Sequence, residues 1–520
     1  MNTAIDLYSG IGGWTLGMKL SGIQDIASYE WWNEANVTHN FNFNTNHKEI
    51  NIRKINVSEL HFNQKIDFVV GSPPCTQFSF ANRGGNGDIQ DGLIDIYKFL
   101  EIVEHVKPKY WAMENVPRVK KILEQELRDG PLSRFQSLVK VNEVIDTAEF
   151  GVPQNRKRMI AGNFPLDLLL SYKSKIPLVT LGQVLTSLQQ KTVIDPNYGY
   201  QIPKIDVTEL ENEAELTSHE LRINRDAKSY HPIYNKMAFP DRLNRPSRTI
   251  TATCTRVSRE SIILESKSGF RRLNVRERGV IQGFPITYQF YGKTLNNKFK
   301  MIGNAVPPLL TYYIFQSMLE VHSKDLILPK NVNYYHSKPQ LKPYKSKLGP
   351  PVRKYPAKRK FMFAVPHLRF GSGVRFELSN NHKSPNIDWS FKFFYGTSKN
   401  IKQVKLDNQI RQALAPMIST SKSKIFNQYI HKIVNKYKNY SSAVLQDLWV
   451  SSDSNNEVFK FLDEVGTCVN KIMQESNLQT IDSNLISIII GEENKKLSEN
   501  KNSILTGFYF LSSLNDKLFV

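Results

Sequence analysis

The chain has 520 residues, of which 40% are hydrophobic and 22% charged, and its formal net charge at pH 7 is +21. This composition can bury proper cores, so wholesale disorder is excluded, and the length predicts about three domains. No run approaches the ~20 apolar residues of a membrane-spanning helix, and residues 1–13 lack the pattern of a secretory signal. The three cysteines, Cys75, Cys254 and Cys468, are too far apart for a disulfide framework or a four-ligand zinc site. We expect a cytoplasmic protein that makes no membrane contact.

Short apolar runs alternate with helical patterns over the first 165 residues. Runs at 3–8, 26–30, 66–70, 110–114 and 158–162 predict strands, and helices are predicted directly after residue 13 and over 94–107. Apolar strands separated by helices are typical of a parallel sheet that is covered on both faces. We therefore predict an α/β fold with a doubly wound, mostly parallel, Rossmann-like sheet over residues 1–165.

The alternation ends after Asn163. Residues 166–248 predict a smaller inserted domain, and helical patterns at 274–282 and 307–321 predict that residues 249–325 complete the first domain. Residues 326–360 contain six prolines and many lysines, which is typical of a basic, semi-extended linker. Residues 361–520 read as strands followed by helices, an additional α+β domain.

The basic excess lies in one segment. Residues 1–320 carry 39 basic and 33 acidic side chains, residues 321–440 carry 24 and 4, and residues 441–520 carry 6 and 11. Such a cluster suits binding to a phosphate backbone, because each neutralised phosphate releases counterions. A solvated face or a basic linker explains the same charge equally simply.

A glycine-rich turn, Asp6-Leu-Tyr-Ser-Gly-Ile-Gly-Gly13, follows the first predicted strand and precedes a helix. Such a turn lets a cofactor approach the backbone closely, although a plain tight turn has the same signature. Glu30 ends the second strand, where a carboxylate binds ribose hydroxyls, and Trp31 offers an aromatic face for adenine. Together they predict a site for a nucleoside-containing cofactor.

Four reactive or charged side chains follow later strands. Cys75 comes after a strand and the Pro-Pro pair at 73–74, which fixes where the thiol points, although a free cysteine is more often a small buried hydrophobe. Glu114 ends another strand, and Arg156 and Arg158 share one face of an extended segment. Because ligands bind at the carboxyl ends of parallel strands, we expect these groups to converge there.

Taken in order, these motifs resemble those of the cytosine-5 DNA methyltransferases, over most of residues 3–320. The first would bind S-adenosylmethionine (AdoMet), and the next three would carry the nucleophile, a carboxylate and a Gln-x-Arg-x-Arg pattern. The motifs are DLYSGIGG (6–13), GSPPC (71–75), ENV (114–116), GVPQNRKR (151–158), RPSRTIT (245–251), RRLNVRERGVIQGFP (271–285) and IGNAVPP (302–308). The resemblance implies the fold of AdoMet-dependent methyltransferases, with target recognition at 166–248.

The implied reaction transfers a methyl group from AdoMet to C5 of a cytosine in a specific duplex DNA sequence. By analogy, Cys75 adds to C6 of the base and Glu114 holds the exocyclic amine and N3. Arg158 contacts O2 of the base, with Arg156 close by. The base must be flipped out, because none of these atoms can be reached inside a duplex. No metal ion is expected to take part.

The resemblance also implies a set of cofactor-binding residues: Asp6, Tyr8, Gly10, Gly12, Glu30, Trp31, Asn56, Pro74 and Asn304. Three positions depart from the family. Tyr8 stands where phenylalanine is usual, and Thr76 replaces the glutamine that commonly follows the nucleophile. Asn56 falls where an aspartate usually accepts a hydrogen bond from the adenine amine; an amide oxygen can accept it too, so we expect weaker cofactor binding.

Duplex DNA is the expected partner, together with a cognate restriction endonuclease if the protein protects DNA in a restriction–modification system. A transfer-RNA cytosine-5 methyltransferase built on the same core is an alternative. A catalytically idle scaffold is another, but the intact Cys75, Glu114 and Arg158 argue against it. Candidates for groove contacts, which also fit ordinary surface polar residues, are Arg222, Arg225, His231, Tyr234 and Arg242.

Three hypotheses compete for the C-terminal region. The basic segment with its interleaved aromatic residues favours an auxiliary DNA-binding domain. A fused restriction nuclease is a second hypothesis, because Asp482, Glu493 and Lys495 fit the acidic-then-Glu-x-Lys pattern of metal-dependent nucleases. A protein-interaction or dimerisation module is the third.

Overall fold

The computed structural model describes residues 1–520 apart from 79–86, 212, 230–236, 341–354, 372, 383–386, 398–399, 419, 452–454, 476–496, 498 and 520. The chain forms two compact units. Unit 1 comprises Met1–Leu216 and Pro240–Leu348, and unit 2 comprises Thr217–Phe239 and Gly349–Val520. Some residues that the sequence singled out lie outside the described part of the chain: His231, Tyr234, Asp482, Glu493 and Lys495.

A six-stranded sheet organises unit 1. Its strands are β1 (Thr3–Leu7), β2 (Gln24–Tyr29), β3 (Phe68–Gly71), β4 (Tyr110–Asn115), β5 (Val141–Asp146) and β6 (Lys157–Gly162). Their order is β2-β1-β3-β4-β6-β5. β1 is parallel to β2 and β3, β3 is parallel to β4, and β6 runs antiparallel to both β4 and β5. The predicted doubly wound, mostly parallel sheet is confirmed.

Helices cover both faces of this sheet. The helices of unit 1, not all of which lie on the sheet, are α1 (Gly13–Leu20), α2 (Asn33–Phe43), α3 (Ile89–Val106), α4 (Val119–Asp129), α5 (Leu166–Ser171), α6 (Leu181–Gln189), α8 (Val275–Ile281), α9 (Leu295–Asn304) and α10 (Pro308–Met318). The paired short strands of unit 1 are β7 (Thr192–Ile194) with β8 (Gln201–Pro203), and β9 (Ile263–Glu265) with β10 (Phe270–Arg272). α10 begins at Pro308, where a helix needs no backbone N–H.

Successive residues of each strand supply two different cores. Ala4 of β1 and Phe68 of β3 belong to a core that includes Trp14 of α1. Ile5 and Val69, the next residue of each strand, belong to a second core on the opposite face. This period of two places apolar side chains on both faces, which explains why these strands read as continuous apolar runs.

A third core joins two chain segments that are distant in sequence. Leu181 and Val184 of α6 are buried with Val280 and Ile281 of α8. Residues 166–216 and 240–248 therefore lie in unit 1, whereas 217–239 lie in unit 2. A separate recognition domain over 166–248, and the other domain boundaries, stay predictions.

Unit 2 combines an antiparallel sheet with helices, as the sequence predicts for its C-terminal part. The sheet has the order β11 (Met362–Gly371), β12 (Val374–His382), β13 (Ile387–Thr397) and β14 (Asn400–Lys405). The helices are α7 (Ser218–Ser229), α11 (Asn408–Leu414), α12 (Thr420–Tyr437), α13 (Ser442–Val450), α14 (Asn455–Glu475) and α15 (Lys501–Leu518). No helix in the described part of the chain has both the length and the hydropathy to cross a membrane.

α7 packs against residues that follow it by more than a hundred positions. The buried His219 ring lies 5.3 Å from the Trp449 ring and 5.6 Å from the Phe459 ring, measured between centroids. Its Nε2 is 3.2 Å from a guanidinium nitrogen of Arg359. The guanidinium carbon of Arg359 lies 3.7 Å from the centroid of the Trp449 ring. Burial lowers the pKa of His219 to about 4. A neutral histidine of α7 is thus part of the core of unit 2.

Arg222 of α7 is also used inside unit 2. Its guanidinium forms an ion pair with Asp463 of α14 and lies 4.2 Å from the ring centroid of Phe459. Its side chain is 18% exposed, whereas that of Arg225 is 53% exposed. Of these two candidates for groove contacts, Arg222 is therefore committed to packing.

We expect Arg222→Met to lower the free energy of unfolding by about 1–3 kcal/mol, because it removes a cation–π contact and the partner of Asp463. Arg225→Met, on the same helix, is the matched control and should change stability by less than about 0.5 kcal/mol. Urea unfolding of the full chain measures both. Equal midpoints for the two variants would contradict the packing role of Arg222.

Candidate active site

The glycine turn connects β1 to α1 and depends on two glycines. Gly12 has a φ of +86°, a left-handed conformation that glycine adopts without a steric penalty. A Cβ on Gly13 would lie 2.2 Å from the carbonyl oxygen of Val306. The segment at 302–308 therefore packs directly against the start of α1, which brings the last motif of the family pattern to the first.

Glu30 holds this turn to the start of α2. One carboxylate oxygen accepts a hydrogen bond from the Gly10 N–H (2.9 Å), and the other accepts from the N–H groups of Trp31 (2.8 Å) and Trp32 (2.7 Å). Burial raises the pKa of Glu30, against the lowering effect of these three donors. The Trp31 side chain is 62% exposed, so its ring is open to a ligand.

Asp6 and Tyr8 lie beneath the turn. Asp6 is fully buried and accepts a hydrogen bond from Thr15 Oγ1 at 3.1 Å, and burial raises its pKa well above the usual range. Its side chain has no exposed surface and supports the turn through Thr15; a contact between Asp6 and the cofactor stays a prediction. Tyr8 has a φ of +59° and its hydroxyl donates to Asp95 on α3.

Asn56 lies within a local turn of its own. Its side chain is exposed, donates to Glu59 (2.6 Å) and accepts from Ser58 (2.8 Å). Asn51, which the sequence reasoning missed, comes closer to the end of β2. Glu49 forms a parallel bridge with Glu30, and the Ile50 N–H donates to the Glu30 carbonyl at 2.9 Å. Asn51 is exposed and is followed by the buried Ile52.

The segment that carries Cys75 is fixed at several points. The Ser72 N–H donates to the Leu7 carbonyl at 3.1 Å, and its hydroxyl accepts from Trp14 Nε1 at 3.0 Å. The amide of Asn115, at the end of β4, donates to the Pro73 carbonyl at 3.1 Å. Asn115 is buried and was not recognised from the sequence as a residue that positions the nucleophile. Pro74 and the thiol of Cys75 are partly exposed.

Glu114 and Arg158 form an ion pair next to this segment. Arg158 Nε lies 2.7 Å from Glu114 Oε1, and both side chains are nearly buried. Burial raises the pKa of the Cys75 thiol; the charges of Arg158 and Arg156 lower it, and that of Glu114 raises it. The four groups that we expect to converge are therefore close enough to act on one another.

Arg156 makes different contacts from Arg158. Its guanidinium is buried and donates to three backbone carbonyls, those of Ile250 (3.0 Å), Gly303 (2.8 Å) and Ala305 (3.4 Å). Burial lowers its pKa to about 9. Gln154, two residues earlier, accepts from the Ile250 N–H at 2.7 Å and donates to Gln282 at 2.8 Å. Both side chains therefore hold the returning chain segments in place.

Two more candidates lie at exposed positions. Asn304 is the last residue of α9 and is exposed, next to the carbonyls that Arg156 binds. Arg242, a candidate for groove contacts, is also exposed. Among the described residues, no three His, Cys, Asp or Glu side chains are grouped so that they could hold a metal ion.

Comparison with known sequences identifies relatives over the first three fifths of the chain. The type II methyltransferase M1.HphI of Haemophilus parahaemolyticus is 28% identical over 347 residues, which cover 62% of this chain and 88% of that protein. M.FnuDI of Fusobacterium nucleatum, also a type II methyltransferase, is 27% identical over 333 residues, 61% of this chain and 94% of its own.

Among solved structures, a DNA modification methyltransferase encoded within an E. coli prophage matches with a TM-score of 0.47 and 21% identity, over 62% of this chain and 99% of its own. The Dnmt2 methyltransferase of S. pombe matches with a TM-score of 0.44 and 14% identity, over 62% and 99%. The sequence model of one family, C-5 cytosine-specific DNA methylase, matches residues 2–320, which is more than half of the chain. The chain belongs to the C-5 cytosine-specific DNA methylases.

Proposed function

We propose that this enzyme methylates C5 of a flipped-out cytosine in a specific duplex DNA sequence, with Cys75 as the nucleophile. The observation that carries the proposal is the convergence of Cys75 with the Glu114–Arg158 ion pair, whose atoms lie 2.7 Å apart. We place the enzyme in the cytoplasm, in a restriction–modification system with a cognate endonuclease. The names of the type II relatives support this context.

AdoMet is the methyl donor of the family, and the residues around the glycine turn fit it. When bound, AdoMet supplies a methyl group on a positively charged sulfur. Glu30 would bind the ribose hydroxyls through Oε2, which accepts only the Gly10 N–H and has acceptor capacity left, whereas Oε1 already accepts from Trp31 and Trp32. Trp31 would cover the adenine ring, and we assign the adenine amine to Asn51 rather than Asn56. The residues left for the methionine part are Tyr8, Gly10, Gly12, Pro74 and Asn304.

Space at the turn supports this assignment. No atom lies within 4 Å of the position that a Cβ would take on Gly10, so a ligand can approach the backbone there. Asp6 lies beneath and keeps the turn in place through Thr15. The methionine part would therefore lie above the turn.

Cys75 would supply the covalent step. Its thiolate forms a bond to C6 of cytosine, and the electron pair of the C5–C6 bond moves into the ring. In its carboxylic acid form Glu114 donates to N3 while its other oxygen accepts from the exocyclic amine, so that the ring can hold this electron pair, and Arg158 binds O2. Once C5 carries the methyl group, water takes the C5 proton, and the C5–H electron pair re-forms the C5–C6 double bond as Cys75 leaves as a thiolate. Arg156 takes no direct part in this scheme, because its guanidinium is bound to backbone carbonyls.

We expect Cys75→Ser to lower transfer of tritium from labelled AdoMet to duplex DNA about a thousandfold or more, because a hydroxyl is a far weaker nucleophile than a thiolate. The wild type should label DNA and leave total transfer RNA unlabelled. The assay contains EDTA, since we propose that no metal ion is needed. Cys468→Ser, a buried cysteine of unit 2, is the control and should keep labelling.

Two results would contradict this scheme. Label confined to transfer RNA would establish the alternative substrate. No labelling of either nucleic acid by the wild type would favour the idle scaffold.

The covalent step has a direct test once the target sequence has been located by bisulfite sequencing of DNA from cells that express the protein. A duplex with 5-fluorocytosine at that target should form a stable adduct with the wild type, since the C5 fluorine cannot leave as the proton does.

The pKa of Cys75 predicts a rate that rises with pH. Because burial holds the pKa of this thiol above its ordinary value, the nucleophilic thiolate is a minor species at neutral pH and increases about tenfold per pH unit below that pKa. Single-turnover adduct formation with saturating DNA and cofactor, followed from about pH 6.5 to pH 9, measures this. Arg158→Gln should lower the rate throughout this range, because the Arg158 charge lowers the thiol pKa and its removal reduces the thiolate fraction. A flat profile for the wild type would contradict the assignment.

We also propose that unit 2 binds DNA as an auxiliary module. α12 contains four lysines and no acidic residue over 420–437. Lys424, Lys432 and Lys436 are exposed on it, and in the part of the chain that the structure describes the last two lie near an acidic side chain, Glu464. A helix face of this composition has the charge that a phosphate backbone attracts. An interaction module remains the competing role for unit 2.

Lys438 is exposed and directly follows the end of α12 at Tyr437. We expect the double substitution Lys424→Glu and Lys438→Glu to weaken binding of duplex DNA about tenfold at low salt and to reduce the slope of log affinity against log salt by about 2. The same charge change on α14, Lys460→Glu with Lys471→Glu, is the control. Equal losses for both pairs would favour a general charge effect over an α12 contact. Magnesium-dependent cutting of unmethylated plasmid by the wild type would instead support the fused nuclease.

A further inference from the structure

A chain of polar contacts links the glycine turn to the segment that follows Cys75. It begins at the Tyr8 hydroxyl, which lies 3.3 Å from an Asp95 carboxylate oxygen and 3.2 Å from the Asp95 carbonyl. Phenylalanine, usual at this position in the family that the sequence resembles, would lack this donor. Burial and the neighbouring Asp95 raise the pKa of Tyr8, so its hydroxyl keeps the proton that it donates.

Arg53 is the centre of this chain of contacts. It comes from the short 3-10 helix at Ile52–Lys54 and binds two residues of α3. Its Nε and Nη2 donate to both oxygens of Asp95, at 2.9 and 2.6 Å. Its Nη1 donates to the Asp91 carboxylate at 2.7 Å, and Nη2 also donates to the Asp91 carbonyl at 2.9 Å. One planar guanidinium thereby fixes two residues that lie one helical turn apart at the start of α3.

The contacts continue to the nucleophile. Gln77, two residues after Cys75, donates to the second Asp91 carboxylate oxygen at 3.0 Å. Its own amide oxygen accepts from the Asp88 N–H, also at 3.0 Å. The next residue, Phe78, is buried, and its N–H donates to the Cys75 carbonyl at 3.0 Å. The turn that contains Cys75 is therefore held to α3 by side-chain and backbone bonds together.

The burial pattern distinguishes this set from an ordinary surface cluster. The Asp95 side chain is only 5% exposed, so its charge depends on Arg53 for compensation. The side chains of Arg53 and Asp91 are about a third exposed. Tyr8 and Gln77 lie at the two ends of this chain of contacts. Because each side chain binds a different segment, a shift at one end changes the hydrogen-bond geometry at the other.

We propose that Arg53 is a positioning residue that couples AdoMet binding at the Tyr8 turn to alignment of Cys75 with the flipped cytosine. This inference rests on the proposed function of both sites. By reciprocity, cofactor binding should then strengthen DNA binding by the same factor as DNA binding strengthens cofactor binding. Tyr8 and Gln77 are the positioning residues at the two ends.

The test measures that coupling factor with S-adenosylhomocysteine, the demethylated and unreactive product, as the probe. The dissociation constant of S-adenosylhomocysteine is determined with and without a duplex that carries the target site. The dissociation constant of that duplex is determined with and without S-adenosylhomocysteine. We expect a factor of about five or more for the wild type and less than about two for Arg53→Met. Tyr8→Phe, which removes one hydroxyl and preserves the core, should reduce the coupling factor by about half or more. This second variant keeps the test valid if Arg53→Met does not fold.

Arg134→Met is the matched control. Arg134 also pairs with an acid of α3, Glu104 at 3.0 Å, but does so far along the helix from Gln77. It should keep the wild-type factor. Arg53→Met and Tyr8→Phe could instead weaken cofactor binding and DNA binding while the coupling factor keeps its wild-type value. In that case the residues are merely structural and the proposal is overturned. A wild type that methylates DNA without coupling overturns it too, whereas a wild type that methylates no DNA refutes the proposed function itself.

Discussion

The antiparallel direction of β6 is the constraint on which the site depends. β1, β3 and β4 run parallel, so their carboxyl ends lie at one edge of the sheet with the glycine turn, Cys75 and Glu114. A fifth parallel strand would place its amino end at the opposite edge. Because β6 runs the other way, with Ile160 opposite Glu114, its amino end delivers Arg158 to this edge. The ion pair between Arg158 and Glu114 is possible only in this topology.

The same strand direction explains why two arginines of one motif have different partners. Arg158 is already within β6 and faces Glu114, whereas Arg156 precedes the strand and reaches the carbonyls of residues 250, 303 and 305. One arginine therefore adds charge beside the thiol, and the other assembles the pocket from segments that are distant in sequence. Burial of Cys75 outweighs both positive charges and raises its pKa, so the free protein holds Cys75 mainly as the thiol. Such a thiol is less prone to oxidation than an exposed thiolate.

Local patterns predicted the elements with strong apolar runs, including β1, β3 and β4, and the glycine turn between β1 and α1. They missed β5, because Glu143 and Val144 are exposed and its sequence lacks a continuous apolar run. Spacing alone does not tell which residue lies beside the end of β2, so the sequence leaves Asn51 and Asn56 undistinguished in position. A motif likewise identifies Asp6 but not whether its side chain faces the ligand or the core, and in the structure that side chain is buried. The positions of Cys75 and Glu114 could be predicted, since both follow the carboxyl ends of parallel strands; that of Arg158 could not be derived from this rule, because it lies at the amino end of the antiparallel β6.

The membership of α7 in unit 2 could not be predicted, because no local signal connects a helix at 218–229 with rings at 449 and 459. This arrangement has a consequence for the role of the C-terminal region. The chain leaves unit 1 after Leu216 and returns at Pro240, inside the segment where the family places target recognition. Removing the C-terminal residues would take away the partners of His219 and Arg222 as well as the basic helix α12. A loss of DNA binding after such a truncation would therefore report damage to α7 as much as loss of a DNA contact. Substitutions at the exposed lysines separate the two causes, because they leave the core of unit 2 intact.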